Sequence, residues 1–407
     1  RNLGAIENVT NNATIKSFDG NNVGGITGFN EGSIRYAINY AAVNMRGTYG
    51  GGIAGENTGT IGDCYNKGNV DGVTNIGGIA GRNFNTIMRC YNTANITSQT
   101  QAGGIAGEND YAIEQSFNMG RVKATVAIAG GITGAQRSKG DGTTPSISIV
   151  YNTGEVISAS NFAGGIIGHL LNGNLVDAYN GGNVSAVTES GTIIGYKEGG
   201  SVSRSYYDIN RLANHTPATG IKPVRAIGNI ADTGTVKGLY RGQMAGAYSI
   251  GTKNGQMNFA NPHSFTPTPS RDQWSFYPQL KVFATSTSEE IKSDSLESVR
   301  GLTFIVGSGT FGDPYIINNE SDIIALAETV NTGNTYEGVY FKVADGVVEF
   351  NFSDDEEGYP FTPIGTPENA FRGYFDGNGA NFRIKLITTS NHIAVFGNIG
   401  QDGSVAK

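Results

Sequence analysis

The sequence is poor in the residues that most chemistry needs. Two cysteines in 407 residues are too few for a disulfide scaffold. The four histidines, His169, His215, His263 and His392, are scattered. No HExxH or HxxxH spacing joins them, so they read as surface or loop residues, not metal ligands. No GxSxG elbow offers a serine nucleophile, and no Asp-x-Asp-x-Asp-Gly loop offers a calcium site. Charged residues are 15% of the chain, against about 25% in ordinary domains. The net charge of −7 argues against nucleic acid or an anionic membrane as the main partner. No run of about 18 apolar residues could span a bilayer as a helix. No leader precedes Arg1, which falls in mid-pattern, so the segment reads as mature or excised.

Glycine is abundant instead, at 61 residues, about twice average usage. It follows no Gly-X-Y period, which excludes collagen. It recurs in a pentapeptide, Gly51-Gly52-Ile53-Ala54-Gly55. Gly24–Gly28 precedes this copy, and Gly77-Gly78-Ile79 and Gly103-Gly104-Ile105 open the next two. GGITG at 130–134, GGIIG at 164–168 and GTIIG at 191–195 follow. Successive copies are 27, 26, 26, 27, 34 and 27 residues apart. A fixed period of this size predicts a solenoid, in which each turn contacts only its neighbours. The extra residues of the long step, around Ala135 to Pro145, read as one protruding loop.

Other columns keep the same period. One is Ile34, Ile61, Ile87 and Ile113. A second is Ala37, Cys64, Cys90, Ser116 and Ala178. A third is Ile38, Tyr65, Tyr91, Phe117, Tyr151 and Tyr179. A fourth is Asn39, Asn66, Asn92, Asn118, Asn152 and Asn180. A fifth runs from Val43 and Val70 to Val184. Each repeat reads as three short strands, at Gly52–Ala54, Ile61–Tyr65 and Val70–Val73, joined by Asn/Gly corners. Like stacked on like at about 4.8 Å predicts an all-β parallel β-helix. The asparagines would form an amide ladder at a corner. Cys64 and Cys90 would be neighbours on one face, pointing the same way as two buried thiols. The tyrosines could form an exposed sugar-stacking ladder or pack inward beside the asparagines. Asn8, Asn95 and Asn183 head Asn-x-Ser/Thr sequons.

These columns resemble the GLUG repeat, a glycine-rich motif of bacterial surface proteins. Such proteins include large adhesins and some named as immunoglobulin-A peptidases. The likeness covers about residues 1–210 and implies a parallel β-helix at the cell surface, without implying an activity. Beyond it, residues 211–283 resemble the closing cap of such a solenoid, with Trp274, Phe276 and Tyr277 as a lid. Ser205-Tyr206-Tyr207-Asp208 ends the pattern, with Asp208 read in the asparagine column. Residues 284–300 read as a polar linker. Residues 301–407 resemble an opening cap and the first strands of a following β-helix. They hold a short helix capped by Ser321-Asp322 and ended by Asn331-Thr332-Gly333, and a tight turn at Asp376–Gly379.

This order, repeats then closing cap then opening cap, is a circularly shifted frame of a module. It predicts head-to-tail joining with further copies, on the same or separate chains. The candidate ends are Asn2, Leu3 and Ile6 on one side and Val395, Phe396, Ile399 and Val405 on the other. The expected function is an extracellular structural or adhesive module, with glycans or proteins as further partners. No catalytic site, metal or cofactor is expected. The acidic run Asp354–Glu357 reads as a solvated loop. The alternative is a β-helical enzyme or binding protein acting on polysaccharide, with two carboxylates flanking a cleft.

Overall fold

The computed structural model describes residues 1–208, 225–231, 236–239, 265–266, 279–284, 309–312, 314–318, 320–331, 333–352, 361–384 and 394–406. Trp274, Phe276, Tyr277, Asp354–Glu357, residues 285–300 and three histidines, His215, His263 and His392, lie outside them. The fold is a parallel β-solenoid of about 11 turns, each of about 27 residues. The chain forms two compact units, Arg1–Leu239 and Tyr240–Lys407.

In the first unit, each turn contributes to three parallel sheets of 11, 7 and 14 strands. Strand pairing is in register with the sequence columns. Tyr65 lies opposite Tyr91, Asn66 opposite Asn92, and Val70 opposite Ile96. Isoleucines after the glycine pair (Ile53, Ile79, Ile105) and those of the column beginning at Ile34 fill one buried core. The column beginning at Val43 fills a second. Each such side chain contributes about 1.5–3 kcal/mol by burial.

The segment Gly-Gly-Ile-Ala, which reads as one strand, is the place where a rung bends. One strand ends at Gly103 and the next begins at Ala106. Packing density fixes the glycines here. A Cβ on Gly103 would lie 1.8 Å from the Ala106 carbonyl oxygen. One on Gly104 would lie 2.1 Å from the Gly131 oxygen and 2.3 Å from Asn118 Cγ. One on Gly107 would lie 2.5 Å from the Asn75 carbonyl carbon. Gly51, Gly52, Gly55, Gly77 and Gly78 are enclosed in the same way. The second glycine thus leaves room for the asparagine of its own turn. In the seventh copy Thr192 replaces that glycine, and the rung runs unbroken from Glu189 to Lys197. Tyr207, not Asp208, stands opposite Asn180 there, because the register carries the asparagine column one residue earlier than the sequence suggests.

The asparagine column is a continuous buried ladder. Asn39 Nδ2 donates to Asn66 Oδ1 at 2.7 Å, Asn66 to Asn92 at 2.8 Å, and Asn92 to Asn118 at 2.8 Å. Each amide also donates to the carbonyl two residues on, as Asn92 does to Ala94. A second ladder, missed in the sequence, runs Asn2, Asn30, Asn57, Asn83 and Asn109, with links of 2.7–2.8 Å. Its signal was present: each of its last four members stands two residues beyond the last glycine of a pentapeptide.

Tyr65, Tyr91, Phe117, Tyr151 and Tyr179 are fully buried and stacked face to face at 4.7–4.9 Å. The exposed sugar-stacking reading of this column is therefore overturned. Cys64 and Cys90 are buried free thiols. Burial pushes the Cys90 thiol well above its ordinary pKa.

A further column has no common side chain. Asn8, Tyr36, Asp63, Arg89, Gln115, Ile149, Asp177 and Arg204 all adopt φ between 42° and 57°. The register imposes this left-handed kink on every rung. A β-branched residue is strained in that region, whereas Asn tolerates it. Ile149→Asn is therefore expected to stabilise the chain by about 0.5–1 kcal/mol, read as a raised midpoint in urea unfolding.

The long step is taken up by one loop over residues 137–145, as expected, with its tip exposed. Parallel stacking continues past residue 210. Arg225–Ile227 pairs with the rung at 189–197, and Val236–Leu239 with that at 201–208.

The second unit is also a parallel coil. Tyr315–Ile317, Tyr340–Val343, Tyr374–Asp376 and Ser404–Ala406 pair in that order, and Glu349–Phe352 pairs with Asn381–Ile384. The helix Glu320–Asn331 packs Ile323, Leu326, Ala327 and Val330 against Phe341, Phe350 and Phe371. It begins before the expected cap. Asp322 instead accepts the Asn318 N–H at 2.9 Å, and Glu320 accepts the Asn351 N–H at 2.8 Å. At the tight turn, Asn378 and Gly379 both adopt positive φ. A separate antiparallel pair, Phe265–Thr266 with Gln279–Leu280, leads into a helical turn, Lys281–Ala284.

Candidate functional site

The first-unit end is an edge strand. Ala5–Asn11 pairs in parallel with Ser33–Asn39, Ile6 against Ile34, and among the described residues its other side is unpaired. Ile6 is half-buried against the core, and Leu3 is 71% exposed. Asn2 and Asn11 carry both amide ladders to this edge. The ladders are directional: each Nδ2 donates toward higher residue numbers. An interior rung such as Asn92 accepts from the preceding asparagine and from the N–H two residues on. At the edge, among the described residues, Asn11 Oδ1 accepts only the Ala13 N–H and Asn2 Oδ1 only the Gly4 N–H. Each keeps a lone pair aimed where a preceding rung would place its amide.

At the second-unit end, Ser404–Ala406 is likewise paired on one side only among the described residues, with Tyr374–Asp376. Val405 and Ile399 are 43% and 46% exposed. Val395 and Phe396 differ from the other candidates, being half-buried against the unit's core. The Phe396 ring lies 5.4 Å from Phe371 and 5.2 Å from Phe375, and its backbone bridges to Ile364.

The structure also assembles a charged cluster that no spacing announced. Arg82 Nε lies 3.0 Å from Glu108 and 3.2 Å from Asp110, Arg137 reaches Glu108 at 3.3 Å, and Asn75 donates to Glu108 at 3.1 Å. The Arg82 guanidinium lies 4.0 Å from the Phe84 ring centre. Both carboxylates are shut from solvent and held by arginine. They are thus a structural ion cluster and not the open carboxylate pair a glycoside-cleaving site requires.

Burial and Glu108 push the Asp110 carboxyl up to about 6. A raised folded pKa means that the folded chain holds a proton the unfolded chain has released, so this group's contribution falls as pH rises from about 4 through 6. The difference in stability between parent and Asp110→Asn should therefore move against the parent over that window and level off above it. Urea melts at pH 4, 5, 6 and 7.5 check this, and a change in the parent's favour would show a carboxylate stabilised as the anion.

His169 lies within 3.0 Å of Glu198. Its pKa is lowered chiefly by burial, against the raising effect of Glu198. The sequon residues Asn8, Asn95 and Asn183 are all exposed. Among the described residues, no three His, Cys, Asp or Glu side chains converge on a metal-sized site, and no helix is long and apolar enough to cross a membrane. No protein-family model, curated protein or solved structure matches the chain.

Proposed function

We propose that the chain is an extracellular structural and adhesive module of a bacterial surface protein or fibre. It joins head to tail with further copies, of the same or separate polypeptides, through its terminal β-helix segments. One observation carries the reading: the rung Ala5–Asn11 presents a full set of ladder features with its outward partners unfilled. The GLUG-like columns support placement at a bacterial surface. A parallel strand added to that edge would extend the 11-stranded sheet, and a whole added turn would extend all three. Such a contact joins unlike surfaces, so it propagates as an open filament unless the rotation closes.

Sedimentation velocity and negative-stain imaging over a hundredfold range of concentration test the reading. The expected result is linear particles that lengthen with concentration. The variant Leu3→Lys charges the exposed end at a side chain that is 71% exposed and should remain monomeric. Parent chains that stay monomeric throughout, or a variant that assembles equally well, would remove pairing between separate chains.

A further inference from the structure

The seven-stranded face carries a pocket of about 280 Å³ across the first turns, lined in part by Lys16, Phe18, Arg46, Asp71 and Gln99. Register brings these residues together. Lys16 stands over Asn44 and Asp71 in one outward column, and Phe18 and Arg46 each follow the last residue of paired strands. Buried Met45 lies beneath.

Two features of the pocket are unlike the rest of the solenoid. Of the eight arginines in residues 1–208, seven lie within ion-pair distance of a carboxylate. Arg46 is the eighth, and among the described residues neither it nor Lys16 has such a partner. Phe18 is 70% exposed, and its ring centre lies 6.0 Å from the Arg46 guanidinium. Elsewhere in this unit the large aromatic columns are stacked and buried.

We propose that this pocket binds one acidic sugar unit, of the uronic acid class, of a surface polysaccharide or glycan. The proposal deepens the adhesive part of the reading above and rests on it. Arg46 offers a planar fork for a carboxylate, with Lys16 as a second cation. Phe18 offers an apolar face against which the C–H side of a pyranose ring packs. The Asp71 carboxylate accepts hydroxyl donors, and the Gln99 amide serves hydroxyls in either sense. A site for a bare phosphate would gain nothing from an aromatic wall and would be opposed by Asp71. A site for a neutral sugar would leave both cations unpaired. The volume suits a single ring, being just below the range for drug-sized ligands.

Titration of the full chain with D-glucuronate, D-glucose and inorganic phosphate, followed by NMR or calorimetry, tests the assignment. Glucuronate should bind with millimolar affinity, at least about tenfold tighter than glucose or phosphate. Arg46→Gln should weaken glucuronate binding about tenfold and Phe18→Ala about fivefold, whereas Lys123→Gln, farther along the same face, should leave it unchanged. Both pocket side chains are exposed, so thermal melts of the variants should match the parent. Equal affinity for glucose or phosphate, or an Arg46→Gln variant that binds as the parent does, overturns the proposal. Sedimentation of the same samples separates the two readings. Assembly without glucuronate binding overturns the pocket alone, and binding by strictly monomeric chains upholds the pocket while overturning assembly.

Discussion

Gly104→Ala is expected to prevent the central turns from closing, a loss above about 4 kcal/mol. The added methyl would sit 2.1 Å from the Gly131 carbonyl oxygen of the next turn and 2.3 Å from Asn118 Cγ. Neither can move aside. The first belongs to a backbone shared with the turn above, and the second is pinned in the amide ladder by hydrogen bonds of 2.7–2.8 Å. Overpacking a site with no free direction strains backbone as well as side chains. Gly62→Ala is the contrasting case. Its Cβ would meet nothing closer than 3.6 Å, and its φ is not left-handed. That change should stay within about 0.5 kcal/mol of the parent. Urea unfolding of the two variants checks both. If Gly104→Ala proved as mild as Gly62→Ala, the close stacking of adjacent turns would be wrong.

Asn92→Ala is expected to destabilise the chain by about 3–5 kcal/mol. The Asn92 side chain accepts from Asn66 and from the Ala94 N–H, and donates to Asn118 and the Ala94 carbonyl. Truncation leaves several buried polar groups short of a partner at once. Each unsatisfied group costs about 1–3 kcal/mol, and the neighbours are too confined to find replacements. Asn92→Asp tests the direction of the ladder. It keeps both acceptor functions but turns the donor into a carboxylate facing Asn118 Oδ1 and the Ala94 oxygen. At neutral pH it should be at least as damaging as alanine, and it should recover as the pH is lowered and the carboxyl regains a proton. Chemical unfolding at pH 4.5 and 7.5 reads both effects.

Much of the fold was legible because stacking turns one-dimensional recurrence into physical contact. Ile53, Ile79 and Ile105 share a column for the same reason that Asn66, Asn92 and Asn118 do: each is the nearest neighbour of the next. Most of what escaped the sequence had no such recurrence; the exception is the second asparagine ladder, whose Asn30, Asn57, Asn83 and Asn109 do recur two residues beyond each pentapeptide. The left-handed column from Asn8 to Arg204 holds six residue types at eight positions, because the register sets the backbone there whatever side chain it carries. The cluster of Arg82, Glu108, Asp110 and Arg137 is built from different residues on neighbouring turns and from the loop-bearing long step. The bend at each glycine pair was hidden because Gly-Ile-Ala fits a strand locally, and only the room left for the paired asparagine shows why the rung turns. Of the candidate ends, Asn2, Leu3, Ile6, Ile399 and Val405 lie at open edges. Val395 and Phe396 are drawn inward by the aromatic core around Phe371 and Phe375.

Assembly through unfilled rungs is most directly read by amide hydrogen exchange of Ala5–Asn11 and Ser404–Ala406, measured on dilute and concentrated chain. The expected result is rapid exchange at both edges when dilute and strong protection of both when concentrated, with the interior rungs around Asn92 protected throughout. Edges that exchange equally fast at every concentration would contradict head-to-tail pairing between chains.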